Sequence, residues 1–435
     1  MIRRIGRSLK DYGDHLVAFR PNARLYLTYV VISGIALGIY RLLFNFYVLS
    51  LGFDEKLLGN LVTTGNLTAL IVALPMGYLA DYFGRKTSLL VSGALMCLSI
   101  GLMVIWPVPS ALYIMNIISG VAQSLAAVTM SPFLMENSGE RERTYLFSFG
   151  AGIQMVSASV GNWIGGYLPS WIANARSVSA VSSQAYAGSI LVVAMTLAAS
   201  VLPLVLIRMP RLEHGDRTVF APFAYAAKNP GKLTRLILPL LITSFGAGLI
   251  MPFMNVFFRI QYHQSDQVIG ILFAWGSLAM GLGLLAAPPL AERFGKIQIV
   301  VISQSLSIPF LVILGFSPLF WVSGLAYYIR VALMNMSSPV YQTFVMEQVE
   351  PASRAMVASL ASMSWNFGWA VSPTISGILQ VRYGFGPPFM GTIVLYTISV
   401  FLYWLFWWRK GTVRAPAQVA LAADELNPDI TITQD

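Results

Sequence analysis

Two arginines of this sequence lie deep inside long apolar runs, where a charged side chain needs a specific partner. Arg41 stands in the segment "GIYRLLFNFY", in a run that begins near Leu25, and Arg330 stands in a run that begins at Leu319. At about 1.5 Å per helical residue, Arg41 lies roughly 24 Å along its helix, too deep to reach a membrane surface easily. A charge at such a depth costs at least about 2.5 kcal/mol. The two guanidinium groups therefore indicate a polar cavity or a bound anion.

The acidic residues offer these arginines no partner at that depth. All 18 Asp and Glu residues are expected in loops, tails or span ends, with Asp54, Glu55 and Asp266 on the outer side. The three histidines are also expected outside the spans, and Cys97 is the single cysteine. Intramembrane hydrolases and transferases need His, Asp or Cys within spans. We therefore expect no catalytic residue, no metal site, no cofactor and no enzyme activity.

Membrane-spanning helices must hold the two arginines in place. The chain has 435 residues, of which 56% are apolar and 11% are charged, whereas a soluble domain carries about 25% charged residues. A span needs about 20 mainly apolar residues. Runs of this kind predict an all-α membrane protein with twelve transmembrane helices, at 25–50, 58–80, 87–106, 110–134, 146–170, 187–207, 234–258, 266–290, 297–317, 319–344, 355–382 and 386–408.

Lysine and arginine residues predict how the chain is oriented. If the N-terminus is cytoplasmic, the loops on the outer side carry only Lys56, Arg176, Arg259 and Arg382. This bias predicts cytoplasmic N- and C-termini in a bacterial-type inner membrane. The net charge of +10 follows from that topology and does not indicate nucleic acid binding. The expected partners are a small-molecule substrate and the lipid bilayer, and the expected state is a monomer.

The two halves of the sequence match each other at one fixed shift. Asp81 aligns with Glu292, and the same shift aligns Gly59 with Gly270 and Gly166 with Gly377. Parallel repeats of six spans are typical of alternating-access transporters, which bind substrate between the halves. The predicted order is a basic cytoplasmic N-terminus, a six-helix bundle, a cytoplasmic linker, a second six-helix bundle and a disordered tail, at 1–24, 25–207, 208–233, 234–408 and 409–435.

One loop motif resembles a family signature. In "GYLADYFGRKTSLL", between spans 2 and 3, Gly77 permits close helix approach and Asp81 and Gly84 make a tight turn before Arg85 and Lys86. This arrangement resembles the signature of the major facilitator superfamily. A weaker copy, "PPLAERFGK", follows span 8 and has Pro288 at the first glycine position, but it keeps Glu292, Gly295 and Lys296.

The resemblance implies a cytoplasmic latch between the two halves of a secondary transporter. Asp81 would face the start of span 11, where a helix N-terminus favours an anion, and Arg85 would reach Glu136 with Arg143 nearby. The copy in the second half would use Glu292, Lys296, Glu347 and Arg354. The alternative is that these residues are ordinary interfacial charges that cap loops.

The same resemblance implies that spans 1, 4, 7 and 10 line a central cavity. Arg41 and Arg330 would then face one space from opposite halves and bind an anion together. Alternatively, each arginine bonds to backbone carbonyls around kinks such as Pro339. The further candidates for substrate contact are polar or aromatic residues of the spans: Asn45, Asn116, Gln123, Gln154, Asn255, Asn335, Trp365, Asn366 and Trp369.

These residues lead to one functional hypothesis and one alternative. The hypothesis is a secondary active or facilitative transporter that moves a small organic solute by rocker-switch alternating access. Its substrate would be anionic or carry an anionic head, bound between Arg41 and Arg330. The alternative is a multidrug or lipid efflux antiporter with an adaptable apolar cavity. The positions of the charged residues are compatible with substrate exchange, with uniport and with cotransport.

Overall fold

The computed structural model describes residues 20–137, 140–208, 229–350 and 354–409, without the side chains of 140–145, 148, 355 and 356. The predicted N-terminal segment, and most of the predicted linker and tail, lie outside these residues. The described residues form twelve long helices and no strand. The helices are α1 (Pro21–Ser50), α2 (Glu55–Ile71 and Ala73–Phe83), α3 (Arg85–Ile105), α4 (Pro109–Glu136), α5 (Glu140–Arg176), α6 (Ser183–Leu206), α7 (Pro230–Tyr262), α8 (Asp266–Phe294), α9 (Lys296–Phe316), α10 (Phe320–Glu347), α11 (Arg354–Tyr383) and α12 (Gly386–Trp408).

Most of these helices are long and apolar enough to cross a membrane. Eight of the described helices meet that condition singly, and the two segments of α2, bent by 56°, make a ninth span. The helices α5, α10 and α11 have 37, 28 and 30 residues, which is also long enough to span. They are less apolar because Ser, Gly and Asn residues recur along them. The predicted all-α membrane fold is confirmed.

Local sequence signals set the ends of the helices. Proline occupies the first turn of α1, α4 and α7, where its missing N–H would have no partner in any case. The carboxylate of Asp54 accepts a hydrogen bond from the Leu57 N–H at 2.9 Å and caps α2. Gly84 and Gly295 end α2 and α8 with φ of 83° and 94°, a backbone region that glycine adopts without strain. These two glycines occupy equivalent positions in the two halves.

Two helices are interrupted, and both interruptions follow from proline. The bend in α2 lies just before Pro75, which cannot donate a hydrogen bond to the preceding turn. In α7, a 3₁₀ turn at Met251–Phe253 contains Pro252 and joins two α-helical segments. Such breaks change the direction in which side chains point. The break in α7 brings Met251 and Asn255 to the space between the halves.

The two six-helix halves pack in the same way. In the first half α1 packs on α5 and α6, α3 packs on α4 and α6, and α2 packs on α4. In the second half the equivalent helices α7 to α12 repeat every one of these pairings. The main contacts between the halves are α2 with α11 and α5 with α8. These two pairs are themselves equivalent under the repeat, so the bundle has pseudo-twofold symmetry.

The two ends of the bundle differ in how the halves meet. We call the end that carries Gly84 and Gly295 the motif face, and the end that carries the α1–α2 and α7–α8 connections the closed face. One apolar core cluster, which includes Phe46, Tyr186 and Phe258, joins both halves toward the closed face. Toward the motif face each half has its own separate cluster among the described residues. The molecule is therefore sealed at the closed face and separated at the motif face.

Candidate functional site

A cavity of about 570 Å³ lies between the two halves. Its volume falls within the range of about 300–1,000 Å³ that is usual for sites that bind small molecules. The first half supplies most of the polar lining, from α1, α2, α4 and α5: Arg41, Asn45, Asn66, Asn116, Ser119, Gln123 and Asn162. The second half supplies a mainly apolar wall, from α7, α8 and α11: Met251, Pro252, Asn255, Phe273 and Trp369.

Arg41 is the charged group of this lining. Its side chain is exposed to the cavity, and it makes no hydrogen bond or ion pair with any described residue. None of the described residues that line the cavity is acidic. Gln123 of α4 is also exposed and has no hydrogen-bond partner among the described residues. Arg41 and Gln123 can therefore bind a solute without first breaking a bond within the protein.

Asn45 and Asn255 form a symmetric clasp between the halves. The Asn45 amide donates to the Asn255 side-chain oxygen at 2.7 Å and to the Pro252 carbonyl at 2.6 Å. The Asn255 amide donates in return to the Leu42 carbonyl at 2.7 Å. Both asparagines are 4% exposed. The prediction placed both in the substrate site; they do line the cavity, but each uses its amide hydrogens to hold α1 against α7.

The remaining cavity amides are engaged as well. Asn66 donates to the Trp369 carbonyl at 3.1 Å, which links α2 to α11. Asn116 donates to the Leu112 carbonyl of its own helix at 2.9 Å. Asn162 contacts the Ser277 hydroxyl at 3.5 Å, which links α5 to α8. Bonds of this kind leave fewer free polar groups for a solute than the sequence suggests.

Trp369 closes the apolar wall from the second half. It lines the cavity together with Met251 and Phe273. Its indole N–H is buried and has no hydrogen-bond partner among the described residues. A buried donor without a partner costs free energy. The wall that Met251, Phe273 and Trp369 form is thus apolar.

Arg330 does not share the cavity with Arg41, which corrects the prediction of a paired site. Its side chain is 2% exposed and lies behind the cavity wall. It contacts the Tyr396 hydroxyl of α12 at 3.3 Å and the Met251 sulfur at 3.8 Å, and its Nε has no hydrogen-bond partner among the described residues. Helix α10 is rotated so that this position faces α7 and α12. Arg330 therefore reaches the cavity wall only through Met251.

Four other candidates do not line the cavity either. Asn335 donates to the Val331 carbonyl of its own helix at 2.8 Å, and the backbone carbonyl of Trp365 accepts a hydrogen bond from Ser244. Gln154 and Asn366 have exposed side chains outside the lining. Helices α1, α4 and α7 line the cavity as expected, whereas no described residue of α10 belongs to the lining. In α5 and α11, Asn162 and Trp369 line the cavity and these candidates do not.

Glycines form the two crossings that seal the closed face. A Cβ on Gly59 would lie closer than 3.0 Å to the Pro373 carbonyl, and one on Gly377 would meet the Glu55 carbonyl. At the equivalent crossing, a Cβ on Gly166 or Gly270 would meet backbone atoms of the facing helix at less than 3.0 Å. Small residues allow helix backbones to approach this closely. The glycines of the two aligned pairs are thus the residues at which helices of the two halves cross.

A buried charged cluster completes the closed face, and sequence reasoning missed it. Arg259 of α7 pairs with Asp266 of α8 and hydrogen bonds to the Tyr186 hydroxyl of α6. Tyr186 donates to Asp266 at 2.6 Å, and the Arg259 guanidinium lies 3.7 Å from the ring centre of Phe46 in α1. Arg259 and Asp266 were expected in the outer loops, but Asp266 is 8% exposed. The Arg259–Asp266 ion pair of the second half thus contacts two aromatic residues of the first half, Phe46 and Tyr186.

At the motif face, the first copy of the motif makes contacts within its own half. Arg85 pairs with Asp81 at 2.6 Å and with Glu136 at 3.2 Å, and Lys86 donates to the Val205 carbonyl at 2.7 Å. The expected contact of Asp81 with the start of α11 is absent among the described residues, because the halves are apart at this face. For the same reason nothing lies within 4 Å of a Cβ built on Gly77.

The second copy behaves in the same way. Lys296 pairs with Glu347, and Arg354 donates to the Met346 carbonyl at 2.9 Å. Glu292 is exposed and makes no ion pair with a described residue. The side chain of Arg143 lies outside the described residues. The Arg85–Glu136 pair thus has an equivalent in Lys296–Glu347, whereas the Arg85–Asp81 pair has none among the described residues. The role of both copies as a latch stays a prediction.

Comparison with known proteins agrees with this architecture. The model of the Major Facilitator Superfamily matches residues 26–240 and 236–425, and no curated protein matches the sequence. A nucleoside transporter, NupG, superimposes with a TM-score of 0.70 at 15% identity, over 88% of this chain and 98% of that one.

Two further solved structures are similar. A bacterial homologue of the human lysosomal transporter Spinster, inward-facing and unoccupied, has a TM-score of 0.70 at 14% identity, over 91% of this chain and 96% of that one. A D-xylose–proton symporter has a TM-score of 0.68 at 16% identity, over 87% of this chain and 97% of that one. At such identities the likeness concerns the fold, whereas the family model covers nearly the whole sequence. The chain therefore belongs to the major facilitator superfamily of membrane transporters.

Proposed function

We propose that the protein transports a small organic solute whose anionic group binds Arg41, and that it does so by rocker-switch alternating access. The observation that carries this proposal is the free guanidinium of Arg41 on the wall of the cavity between the halves. Arg41 replaces the predicted pair of arginines as the anchor. We further propose that the protein acts as a monomer in a bacterial-type inner membrane.

Electrostatics supports an anionic ligand at Arg41. An unpaired charge within a membrane protein costs several kcal/mol, on the order of 2.5–3.5 kcal/mol at the least. Because no acidic residue is among the described residues that line the cavity, the protein does not supply the counterion itself. A carboxylate or phosphate can accept two parallel hydrogen bonds from one guanidinium. Such a ligand would remove the cost of the free charge.

Alternating access is supported by the difference between the two faces. The contacts between the halves lie toward the closed face, and both crossings there use equivalent helices. In a pseudo-symmetric transporter, the second state closes the opposite face by rocking one half against the other. Closure of the motif face would bring Asp81 toward α11. The excess of Lys and Arg near that face makes it the cytoplasmic side, so this conformation would be open to the cytoplasm.

The alternative function, efflux of drugs or lipids, has one observation in its favour. Met96, Met251, Phe273 and Trp369 give the cavity a large adaptable apolar surface, and methionine in particular suits varied ligands. A cationic or neutral drug, however, would leave Arg41 without a counterion. The anionic solute is therefore the better match to the whole lining.

Thermal stabilisation of the purified full-length chain tests the proposal. A ligand raises stability in proportion to the logarithm of its concentration over its Kd. The panel comprises monocarboxylates, organic phosphates, sugars, nucleosides and a cationic amphipathic drug. We expect anions to stabilise the wild type and Arg382→Gln, which removes an exposed arginine away from the cavity, but not Arg41→Gln. Stabilisation by neutral solutes alone, or anion effects that persist in Arg41→Gln, would contradict the proposal.

A further inference from the structure

We infer that the solute is a monovalent amphipathic acid, with its negative group on Arg41 and an apolar body on the wall formed by Met251, Phe273 and Trp369. This inference rests on the proposed function, because it takes Arg41 as the anchor. It adds the number of charges on the solute and the nature of the rest of the molecule. Three properties of the cavity lead to it.

The first property is the charge of the lining. Arg41 is the one charged side chain among the described residues that line the cavity. A second carboxylate on the solute would have no cation to pair with, because Arg330 is 2% exposed and lies behind Met251. A buried charge without a partner opposes binding strongly. The cost increases when the motif face closes over the solute and removes water. The cavity therefore favours a single negative charge.

The same lining disfavours solutes that carry an ammonium group. None of the described lining residues is acidic, so an ammonium group would lack an ionic partner and would be repelled by Arg41. Amino acids and amines therefore fit less well than the corresponding acids. A neutral amide of the same shape avoids the repulsion, but it leaves the guanidinium of Arg41 unpaired.

The second property is the reduced hydrogen-bonding capacity of the lining. Asn45, Asn66, Asn116 and Asn255 already donate to protein oxygens at 2.6–3.1 Å. A polyhydroxylated solute needs many partners for its hydroxyl groups, since a polar group buried without one opposes binding. Gln123 makes no hydrogen bond with a described residue, so its amide is free for the polar end of the solute. The amide donors that remain free are therefore fewer than the five asparagines and one glutamine of the lining suggest.

The third property is the apolar character of the lining that the second half supplies. The free polar side chains Arg41 and Gln123 belong to α1 and α4 of the first half, which also supplies apolar residues such as Phe44 and Met96, whereas Met251, Phe273 and Trp369 belong to α7, α8 and α11 of the second. A solute with a charged end and an apolar body would touch both halves at once. Burial of an aromatic or branched apolar body against this wall adds affinity in proportion to the area removed from water. Binding would therefore draw the two halves together.

The test measures binding of a matched panel to the full-length chain in lipid nanodiscs by titration calorimetry. Phenyl, naphthyl and hexyl bodies each carry one carboxylate, a carboxamide, an amine or two carboxylates, and acetate serves as the acid without a body. We expect the monocarboxylates with a body to bind at least about tenfold more tightly than every matched compound and than acetate. The variants Trp369→Leu and Phe273→Leu should weaken them by a similar factor, and should leave acetate unchanged.

The outcomes separate this inference from the proposed function. If acids bind through Arg41 but the apolar body adds no affinity, or if the dicarboxylates bind as tightly, the inference is wrong and the proposed function stands. If amides or amines bind as tightly as the acids, or if Arg41→Gln keeps the affinity for acids, the proposed function itself is wrong. If none of the monocarboxylates binds, the inference is also overturned. Two different wall variants guard against a single variant that fails to fold.

Discussion

The two halves of this transporter share a scaffold but supply different chemistry to the cavity between them. Asn45 of α1 and Asn255 of α7 form reciprocal bonds, each to the backbone of the opposite helix, which makes them structural counterparts at a shift of 210 residues, one less than the shift that aligns Asp81 with Glu292. One turn before each asparagine, the first half has Arg41 and the second half has Met251. Both side chains line the cavity. The same position thus carries a cation in one half and a thioether in the other.

A comparison of the helix crossings with the cavity wall indicates which duplicated positions must meet the same packing requirement in both halves. Gly59 and Gly270, and likewise Gly166 and Gly377, must all be small because helix backbones cross there. The closure of one face depends on both crossings, so both copies keep the same residue type. At the wall positions of Arg41 and Met251, by contrast, the side chains face the cavity. The two copies could therefore diverge, one toward a charged end and the other toward an apolar body.

The largest effect is expected at the glycine crossings, where the two halves should respond alike. Gly59→Val and Gly270→Val each place side-chain atoms against backbone, and overpacking of this kind costs typically about 1–3 kcal/mol. We expect each variant to lower the population closed at the closed face by about tenfold or more. Spin labels at the equivalent exposed positions Val108→Cys and Leu319→Cys, in a Cys97→Ser chain, measure the distance across that face.

Gly152→Val is the control for these variants, because nothing lies within 4 Å of a Cβ at Gly152. It should leave the distance distribution unchanged. A changed distance distribution in only one of the two crossing variants would contradict the proposed equivalence of the halves. No shift in either would show that the crossings do not limit closure.

A smaller and again symmetric effect is expected at the clasp. Asn45→Ala and Asn255→Ala each remove a side-chain bond to the opposite helix and leave buried polar groups without partners, which costs about 1–3 kcal/mol. The same label pair should show a wider closed face in both variants, by a similar population shift. Asn335→Ala is the matched control, because among the described residues the Asn335 amide bonds only within its own helix. Equal distributions in Asn45→Ala and wild type would argue against the clasp.

A still smaller effect should distinguish the two crossings from each other. The crossing of α5 with α8 carries the Arg259–Asp266 pair docked on Tyr186, and the described residues show no such pair at the crossing of α2 with α11. Tyr186→Phe removes the hydroxyl and should cost about 0.5–1.5 kcal/mol. We expect faster hydrogen exchange in the first turn of α8 and no change in the first turn of α2. Equal changes at both crossings would mean that the cluster has no local role.

The smallest effect is expected for Arg330, in contrast to Arg41. Replacement of a poorly paired buried charge by an apolar residue of similar length is often neutral or stabilising. Arg330→Met should therefore change the free energy of unfolding by less than about 1 kcal/mol and keep the affinity for anions within about twofold. Thermal unfolding and anion titration measure the two quantities. Loss of anion binding in this variant would restore the paired arginine site that the sequence suggested.

The sequence predicted the scaffold well because the scaffold depends on patterns that are local or repeated. Apolar runs gave the helices, and the motif around Asp81 gave the family. The aligned pairs Gly59 with Gly270 and Gly166 with Gly377 turned out to be the crossings between the halves. Each of these signals needs only residue type and spacing, and no knowledge of how a helix is rotated.

The sequence predicted the site only in part, because helix rotation and contacts between distant segments decide it. Arg41 and Arg330 look alike in the sequence, yet α1 turns one toward the cavity and α10 turns the other toward Tyr396. Arg259 and Asp266 looked like residues of an outer loop, and only the approach of α6 and α1 buries them. The break at Met251–Phe253 also redirects α7 toward the cavity.

The most direct test of the central claim replaces Arg41 by the residue that the second half has at the same position. The measurement is a calorimetric titration of Arg41→Met and wild type with the anion that binds the wild type best, together with the label distance across the closed face. The account predicts that affinity falls about a hundredfold or more, as expected for a desolvated charge pair that loses one partner, and that the distance distribution without ligand is unchanged. Wild-type affinity in Arg41→Met would contradict the account.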